Sequence, residues 1–130
     1  MAKMADDADR ERRRKAEQFG HRAEGAAALL LRSKGFRIID QRVGTPYGEI
    51  DLIARRGRVI AFVEVKARPS HDQALEAVTP RQARRIIAAA QAWLAGSAYD
   101  TEYDCRFDII TVNPYLWPKH LPNAFGADLW

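Results

Sequence analysis

The stretch GEIDLIARRGRVIAFVEVKAR, residues 48–68, constrains the fold of this chain more than any other. It contains two apolar runs with strand character, separated by Arg-Arg-Gly-Arg, and therefore predicts a β-hairpin. Four charged residues interrupt the apolar pattern: Glu49, Asp51, Glu64 and Lys66. Burial of a charged side chain is costly unless the charge is paired or bound to a metal ion. The hairpin therefore has to provide partners for these charges.

Strand alternation predicts which charges meet. Glu64 and Lys66 share one face of their strand. A two-residue turn at Arg56-Gly57 places Asp51 diagonal to Glu64, and a four-residue turn places it directly opposite. Both turns bring the two carboxylates within roughly 4.5–8 Å of each other on one face, whereas a three-residue turn separates them.

Two carboxylates that lie so close repel each other, and a divalent cation between them stabilises both. By alternation, Glu49 belongs on the same face as Asp51 and Glu64. The alternative is a surface hairpin in which these residues form a plain cross-strand ion pair. Against it, the single Lys66 cannot neutralise three carboxylates.

The rest of the chain predicts the order α-β-β-β-α-β. We expect a helix over residues 9–34, with Asp6 or Asp9 as N-cap and Gly35 as its end. A second helix over 79–95 begins at the capping sequence Thr-Pro. Strands are expected at residues 36–43, 48–55, 58–68 and 105–112. Short turns indicate an antiparallel meander, and the helical crossover makes the last strand parallel to the third. The predicted fold class is α/β, with a mixed central sheet flanked by helices.

Three segments are distinguished by composition. Residues 1–18 form a basic helical extension, residues 19–112 the main domain, and residues 113–130 a tail without periodicity, which predicts an ordered coil. For Trp117 and Trp130 in this tail, packing against the domain is favoured over base stacking or a dimer contact.

Charge and composition narrow the function classes. Residues 32–85 hold twelve basic and six acidic side chains, an excess of six where the whole chain carries +4. Such a local excess can attract a phosphate backbone, although a solvated arginine-rich surface gives the same count. No apolar run approaches the ~20 residues of a membrane span. With one cysteine and no signal-peptide core, we expect a cytoplasmic protein without a membrane partner.

An Asp followed by Glu-x-Lys across two adjacent strands resembles the PD-(D/E)xK nuclease superfamily; here it is Asp51 with Glu64-Val65-Lys66. The segments GEIDLIA, FVEVKAR, LEAVTPRQ and RFDII, in this order, are similar to the YraN family of small bacterial proteins. That family is regarded as endonucleases related to archaeal Holliday-junction resolvases. The resemblance implies a restriction-endonuclease-like core, αβββαβ, and a link to DNA recombination and repair.

The resemblance also implies roles for individual residues. Asp51 and Glu64 would be metal ligands and Lys66 the catalytic lysine. Glu24 matches the acidic helix residue that many superfamily members bring to the metal, and Glu49 would be a supplementary ligand. Candidate nucleic-acid contacts are Arg68, Arg81, Gln82, Arg84 and Arg85. Two features depart from the family pattern: Arg42 stands where an Asn is expected, and a Phe-Gly pair is missing from residues 69–78.

The implied reaction is hydrolysis of a DNA phosphodiester with Mg²⁺ or Mn²⁺, which carboxylate oxygens suit better than Zn²⁺. The substrate would be branched or single-stranded DNA, and resolvase relatives suggest a homodimer. The alternative is a non-catalytic nucleic-acid-binding or adaptor protein on the same scaffold. An intact set of Asp51, Glu64 and Lys66 favours the enzyme, because a pure binder has no need of a repelling carboxylate pair.

Overall fold

The computed structural model describes residues 2–99 and 102–126 and places a five-stranded sheet between helices. In chain order the elements are α1 (Ala2–Ser33), β1 (Arg37–Thr45), β2 (Gly48–Arg56), β3 (Val59–Ala67), α2 (His71–Glu76), α3 (Pro80–Ala95), β4 (Asp104–Val112) and β5 (Pro118–Phe125). The strand order is β1-β2-β3-β4-β5, in which only the β3–β4 pair is parallel. The predicted α/β class with a mixed sheet is confirmed.

The two faces of the sheet carry separate cores. Under α1, buried residues such as Ala27 and Leu31 pack on Leu52, Val63 and Ile110. Under α3, the second core contains Ile53, Ile60, Phe62, Ala89 and Ala90. Because β3 is buried on both faces, it reads as a nearly continuous apolar run.

The predicted start of the first helix is wrong. The helix begins at Ala2, so Asp6 and Asp9 lie within it and cap nothing. Ion pairs three residues apart, Arg12 with Asp9 and Arg14 with Glu11, support these polar first turns. The predicted end is confirmed, because Gly35 adopts φ +89° and the Phe36 N–H bonds the Leu31 carbonyl.

Two elements were not predicted. α2 lies between the expected third strand and the expected second helix, and Ser70 caps it by accepting the Gln73 N–H at 3.2 Å. β5 occupies part of the expected coil over 113–130 and pairs antiparallel with β4. Its prolines obscure the strand pattern, but an edge strand tolerates them. The burial expected for Trp117 is also wrong, since its side chain is 71% exposed; Trp130 lies outside the described residues.

The register of the β2–β3 hairpin determines where the charged residues meet. Its turn is Gly57-Arg58, and the pairing runs from Arg56↔Val59 to Leu52↔Val63. The pairing ends one step before Asp51 and Glu64, which would lie directly opposite each other if the same register continued, as in the four-residue alternative. Within the described ranges, no helix has the length and apolar character needed to cross a membrane.

Candidate active site

The central feature of the site is a pair of carboxyl groups, Asp51 on β2 and Glu64 on β3. The β2 strand is distorted here, because Ile50 and Ile53 pack under α3 whereas Leu52 packs under α1. The Asp51 carboxylate reaches β3, where its Oδ2 accepts the Val65 N–H at 2.8 Å. A side chain thus takes a donor that a backbone carbonyl accepts in an unbroken ladder.

Glu64 is held from two sides. Its Oε1 accepts a hydrogen bond from Gln82 Nε2 at 2.9 Å and lies 3.3 Å from Lys66 Nζ. Gln82 lies in the first turn of α3, which Thr79 caps by accepting the Gln82 N–H at 3.2 Å. The predicted cap therefore also positions the amide that fixes Glu64. Glu64 is 6% exposed, which makes it one of the buried charged residues of the described chain.

Both carboxyl groups of the pair have raised pKa values. Burial, followed by the charge of Asp51, raises the pKa of Glu64 to about 8. Burial also raises the pKa of Asp51 to about 6, with the Val65 N–H opposing and the charge of Glu24 assisting. The two carboxyl groups lie close enough for each to shift the pKa of the other. Without a cation, the pair therefore retains a proton near neutral pH.

Glu24 lies beside this pair but is engaged elsewhere. Its Oε2 accepts a hydrogen bond from Arg42 Nε at 2.8 Å. Arg42 lies between Gln41 and Val43, whose partners on β2 flank Asp51, and it adopts φ +47°. The carboxylate of Glu24 raises the pKa of the Arg42 guanidinium, with smaller contributions from Glu49 and Asp51.

The structure brings together some of the predicted site residues and not others. Asp51, Glu64, Lys66 and Gln82 converge. Glu24 is adjacent, and Glu49 is exposed on β2. Among the described residues, no three His, Cys, Asp or Glu side chains are grouped closely enough to hold a metal ion. Arg68, Arg81, Arg84 and Arg85 have side chains that are exposed or partly exposed.

Sequence reasoning missed the contact between Arg42 and Glu24. It noted Arg42 only as a departure from a family pattern. The backbone conformation of Arg42 could have been anticipated. A residue in the left-handed region is most often Gly or Asn, and Asn is the residue expected at this position. That an arginine there reaches helix α1 requires knowledge of how the helix crosses the sheet.

Comparison with known proteins gives a consistent result. The model of the Uncharacterised protein family UPF0102 matches residues 23–112. A UPF0102 protein of Rhodopseudomonas palustris (strain BisB5) is 54% identical over 110 residues, which cover 85% of this chain and 84% of that protein. A UPF0102 protein of Bradyrhizobium sp. (strain ORS 278) is 56% identical over 108 residues, covering 83% and 77%. One of Chelativorans sp. (strain BNC1) is 49% identical over 115 residues, covering 88% and 93%.

Proposed function

This chain belongs to the UPF0102 family, and we propose that it is a divalent-cation-dependent endonuclease that hydrolyses phosphodiester bonds of DNA. The observation that carries the proposal is the pair of neighbouring carboxyl groups, the half-buried Asp51 and the buried Glu64, with Lys66 in contact with one of them. A protein gains no stability from two buried acids that repel each other. A cation between them would remove the repulsion, which explains why the two acids lie so close together.

The donor set fits Mg²⁺ or Mn²⁺. Both ions prefer oxygen ligands, and Mg²⁺ commonly binds through one or two carboxylates while the remaining positions hold water or substrate phosphate. One oxygen of each acid is engaged by a protein donor, Asp51 Oδ2 by Val65 and Glu64 Oε1 by Gln82 and Lys66. The second oxygen of each acid is thereby the candidate ligand. Glu24 would join as a third carboxylate by releasing Arg42.

The residues of the chain have separable tasks in this reaction. A bound cation supplies Lewis acidity toward the scissile phosphate and lowers the pKa of a coordinated water. Val65 and Gln82 hold the two acids in fixed orientations, so little reorganisation is needed when the substrate binds. The ammonium of Lys66 stabilises negative charge on the phosphoryl oxygens. Arg68, Arg81, Arg84 and Arg85 contact the phosphate backbone without reading its sequence.

The test is a cleavage assay on a panel of labelled DNA substrates: single-stranded, duplex, nicked, forked and four-way. We expect Mn²⁺- or Mg²⁺-dependent products that EDTA prevents. Lys66→Ala abolishes cleavage and retains DNA binding. Arg58→Ala is the matched control, because it removes an exposed cation from the opposite end of the same hairpin.

The result that overturns the proposal is equally concrete. If the wild type cleaves none of these substrates and Mn²⁺ does not bind at Asp51 and Glu64, the protein is no metal-dependent nuclease. Retained DNA binding under those conditions would identify the non-catalytic nucleic-acid-binding or adaptor protein as the correct alternative.

A further inference from the structure

Three exposed aromatic side chains, Tyr47, Tyr115 and Trp117, lie in two loops at the edge of the sheet where β3 ends. We call them the aromatic rim. β2 is antiparallel to β3, so the β1–β2 turn that carries Tyr47 lies at this edge. β4 is parallel to β3, and Ala67 pairs with Val112, so the β4–β5 loop begins there too. Lys66 is one residue from this end of β3.

The rings are strongly exposed. The exposed fractions are 56% for Tyr47, 91% for Tyr115 and 71% for Trp117. None of the three stacks on another ring of the described chain. Exposure of one large apolar side chain needs no explanation, but three aromatic rings around one edge indicate a binding surface.

Both loops are held by hydrogen bonds between side chains and backbone, which makes the exposure more informative. In the β1–β2 turn, the Thr45 hydroxyl accepts the Tyr47 N–H at 3.1 Å and donates to the Gly48 carbonyl at 2.7 Å. In the β4–β5 loop, Asn113 Oδ1 accepts the N–H groups of Tyr115 at 3.0 Å and Trp117 at 3.1 Å. Rings on such loops lose little conformational entropy when a ligand stacks on them.

Basic side chains near the aromatic rim favour a ligand with a phosphate backbone. Lys66 pairs with Thr111 across β3 and β4, and Thr111 pairs with Lys119 across β4 and β5, so both lysines belong to one row. Arg68 follows β3, and its N–H bonds the Val112 carbonyl at the base of the β4–β5 loop. Glu49 and Asp72 are the nearby exposed acids. Cations interleaved with exposed aromatic rings are the composition of a single-strand-binding surface.

On the basis of the proposed function, we propose that the aromatic rim stacks on unpaired bases of a nucleic-acid strand whose backbone follows Arg68 and Lys119. The substrate class would then be single-stranded nucleic acid, or the unpaired segment of a branched one. The aromatic rim also disfavours duplex DNA, whose bases are already stacked on each other and cannot reach the rings.

Binding in EDTA tests this inference without cleavage. The probes are fluorescently labelled dT20 and a 20-base-pair duplex, with fluorescence anisotropy as the readout. We expect Tyr115→Ala/Trp117→Ala to weaken dT20 binding at least tenfold, since alanine substitution of a stacking ring commonly has an effect of this size. Duplex binding should change less than twofold. Tyr115→Phe/Trp117→Phe keeps an aromatic ring at both positions and should bind dT20 as the wild type does.

Two controls complete the design. Leu29→Ala removes a hydrophobic side chain that is 68% exposed on α1 and should leave dT20 binding unchanged. dT20 should quench the tryptophan fluorescence of the wild type, and Trp117→Ala should lose most of that quenching.

The inference is overturned if the rim variants bind dT20 as tightly as the wild type does. If these variants also change from dimer to monomer in analytical ultracentrifugation, the rim is instead a contact between copies of this chain. Failure of the proposed function looks different: rim-dependent dT20 binding would persist while metal-dependent cleavage is absent on every substrate.

Discussion

Two buried acidic centres lie on opposite faces of the sheet, and their charges are treated in opposite ways. Asp108 on β4 is fully buried beneath α1. Its carboxylate accepts hydrogen bonds from Arg106, from His120 Nε2 at 2.7 Å and from the Asn123 N–H at 2.9 Å. Burial alone would raise the pKa of Asp108, but these donors hold it below its usual value.

In the Asp51–Glu64 pair, Glu64 is buried and Asp51 is half-buried, and the pair has fewer donors. Its donors are one backbone N–H, one amide and one ammonium, and its two acids face each other. A buried acid that is completely paired contributes to the architecture of the protein. A buried pair that is left short of positive charge retains a proton or takes up a cation. The contrast separates a structural acid from a functional one by their partners rather than by their burial.

The largest expected difference is in stability at pH 7 in EDTA. Asp108→Ala leaves Arg106 and His120 without their shared partner and should lower the free energy of unfolding by about 3–5 kcal/mol. Glu64→Gln retains a group of the same size that is uncharged, as the protonated Glu64 is at this pH, so stability should be essentially unchanged. Urea denaturation measures both. An equal loss for the two variants would show that the carboxyl pair is structural after all.

The second difference is in the sign of the pH dependence of metal-free protein. The pKa of Glu64 is raised to about 8, so its contribution to stability is fully present below its unfolded pKa and is lost as the pH rises toward 8. The pKa of Asp108 is lowered, so its contribution is present above the unfolded pKa and is lost as the pH falls.

We therefore expect wild-type stability in EDTA to decline between pH 5 and pH 8 by on the order of 2–3 kcal/mol relative to Glu64→Gln. Urea denaturation at four pH values gives the difference directly. Parallel curves for the two proteins would mean that the folded state does not perturb Glu64.

The contrast also explains what the sequence could predict. Asp51, Glu64 and Lys66 were found because strand alternation and register follow from a short, local hairpin. Asp108 was not singled out. Its partners Arg106, His120 and Asn123 become neighbours only when β5 pairs with β4, and the prolines of β5 concealed that strand.

Local signals account for the other successes and errors. Thr79 begins a helix and Gly35 ends one by chemistry that acts within a few residues, so both were predicted correctly. Ser70 and Gln73 have the spacing of a capping box, which could have revealed α2. The contact of Glu24 with Arg42 joins α1 to β1 and depends on how the helix crosses the sheet, which no local pattern specifies.

The third difference should appear on addition of Mn²⁺ at pH 7.5. Occupancy of the carboxyl pair should stabilise the wild type by about 2.7 kcal/mol at a free Mn²⁺ concentration of 100 Kd and should release a proton. Thermal unfolding and calorimetry in two buffers of different ionisation enthalpy measure the two effects. Glu64→Gln should lose both, whereas Glu76→Gln, which alters an exposed acid on α2, should retain them. Stabilisation of Glu64→Gln by Mn²⁺ to the same extent would place the cation elsewhere.

The smallest expected effect concerns Arg42, which brings positive charge to the edge of the carboxyl pair. The Arg42–Glu24 ion pair is half exposed on the arginine side, so its contribution to stability is small. Arg42→Asn should release Glu24 toward the cation and tighten Mn²⁺ binding about threefold to fivefold, because an ion pair no longer has to be broken.

Isothermal titration calorimetry measures this affinity. Asn accepts the left-handed backbone of this position at little cost, so the fold should be retained. Arg37→Asn, an exposed cation at the other end of β1, is the control for loss of charge alone. If Arg42→Asn binds Mn²⁺ no better than Arg37→Asn does, Glu24 does not join the cation, and the site consists of Asp51 and Glu64 alone. A gain specific to Arg42→Asn would show that this arginine weakens Mn²⁺ binding at the carboxyl pair. The arginine that pairs with Asp108, by contrast, is part of the fold.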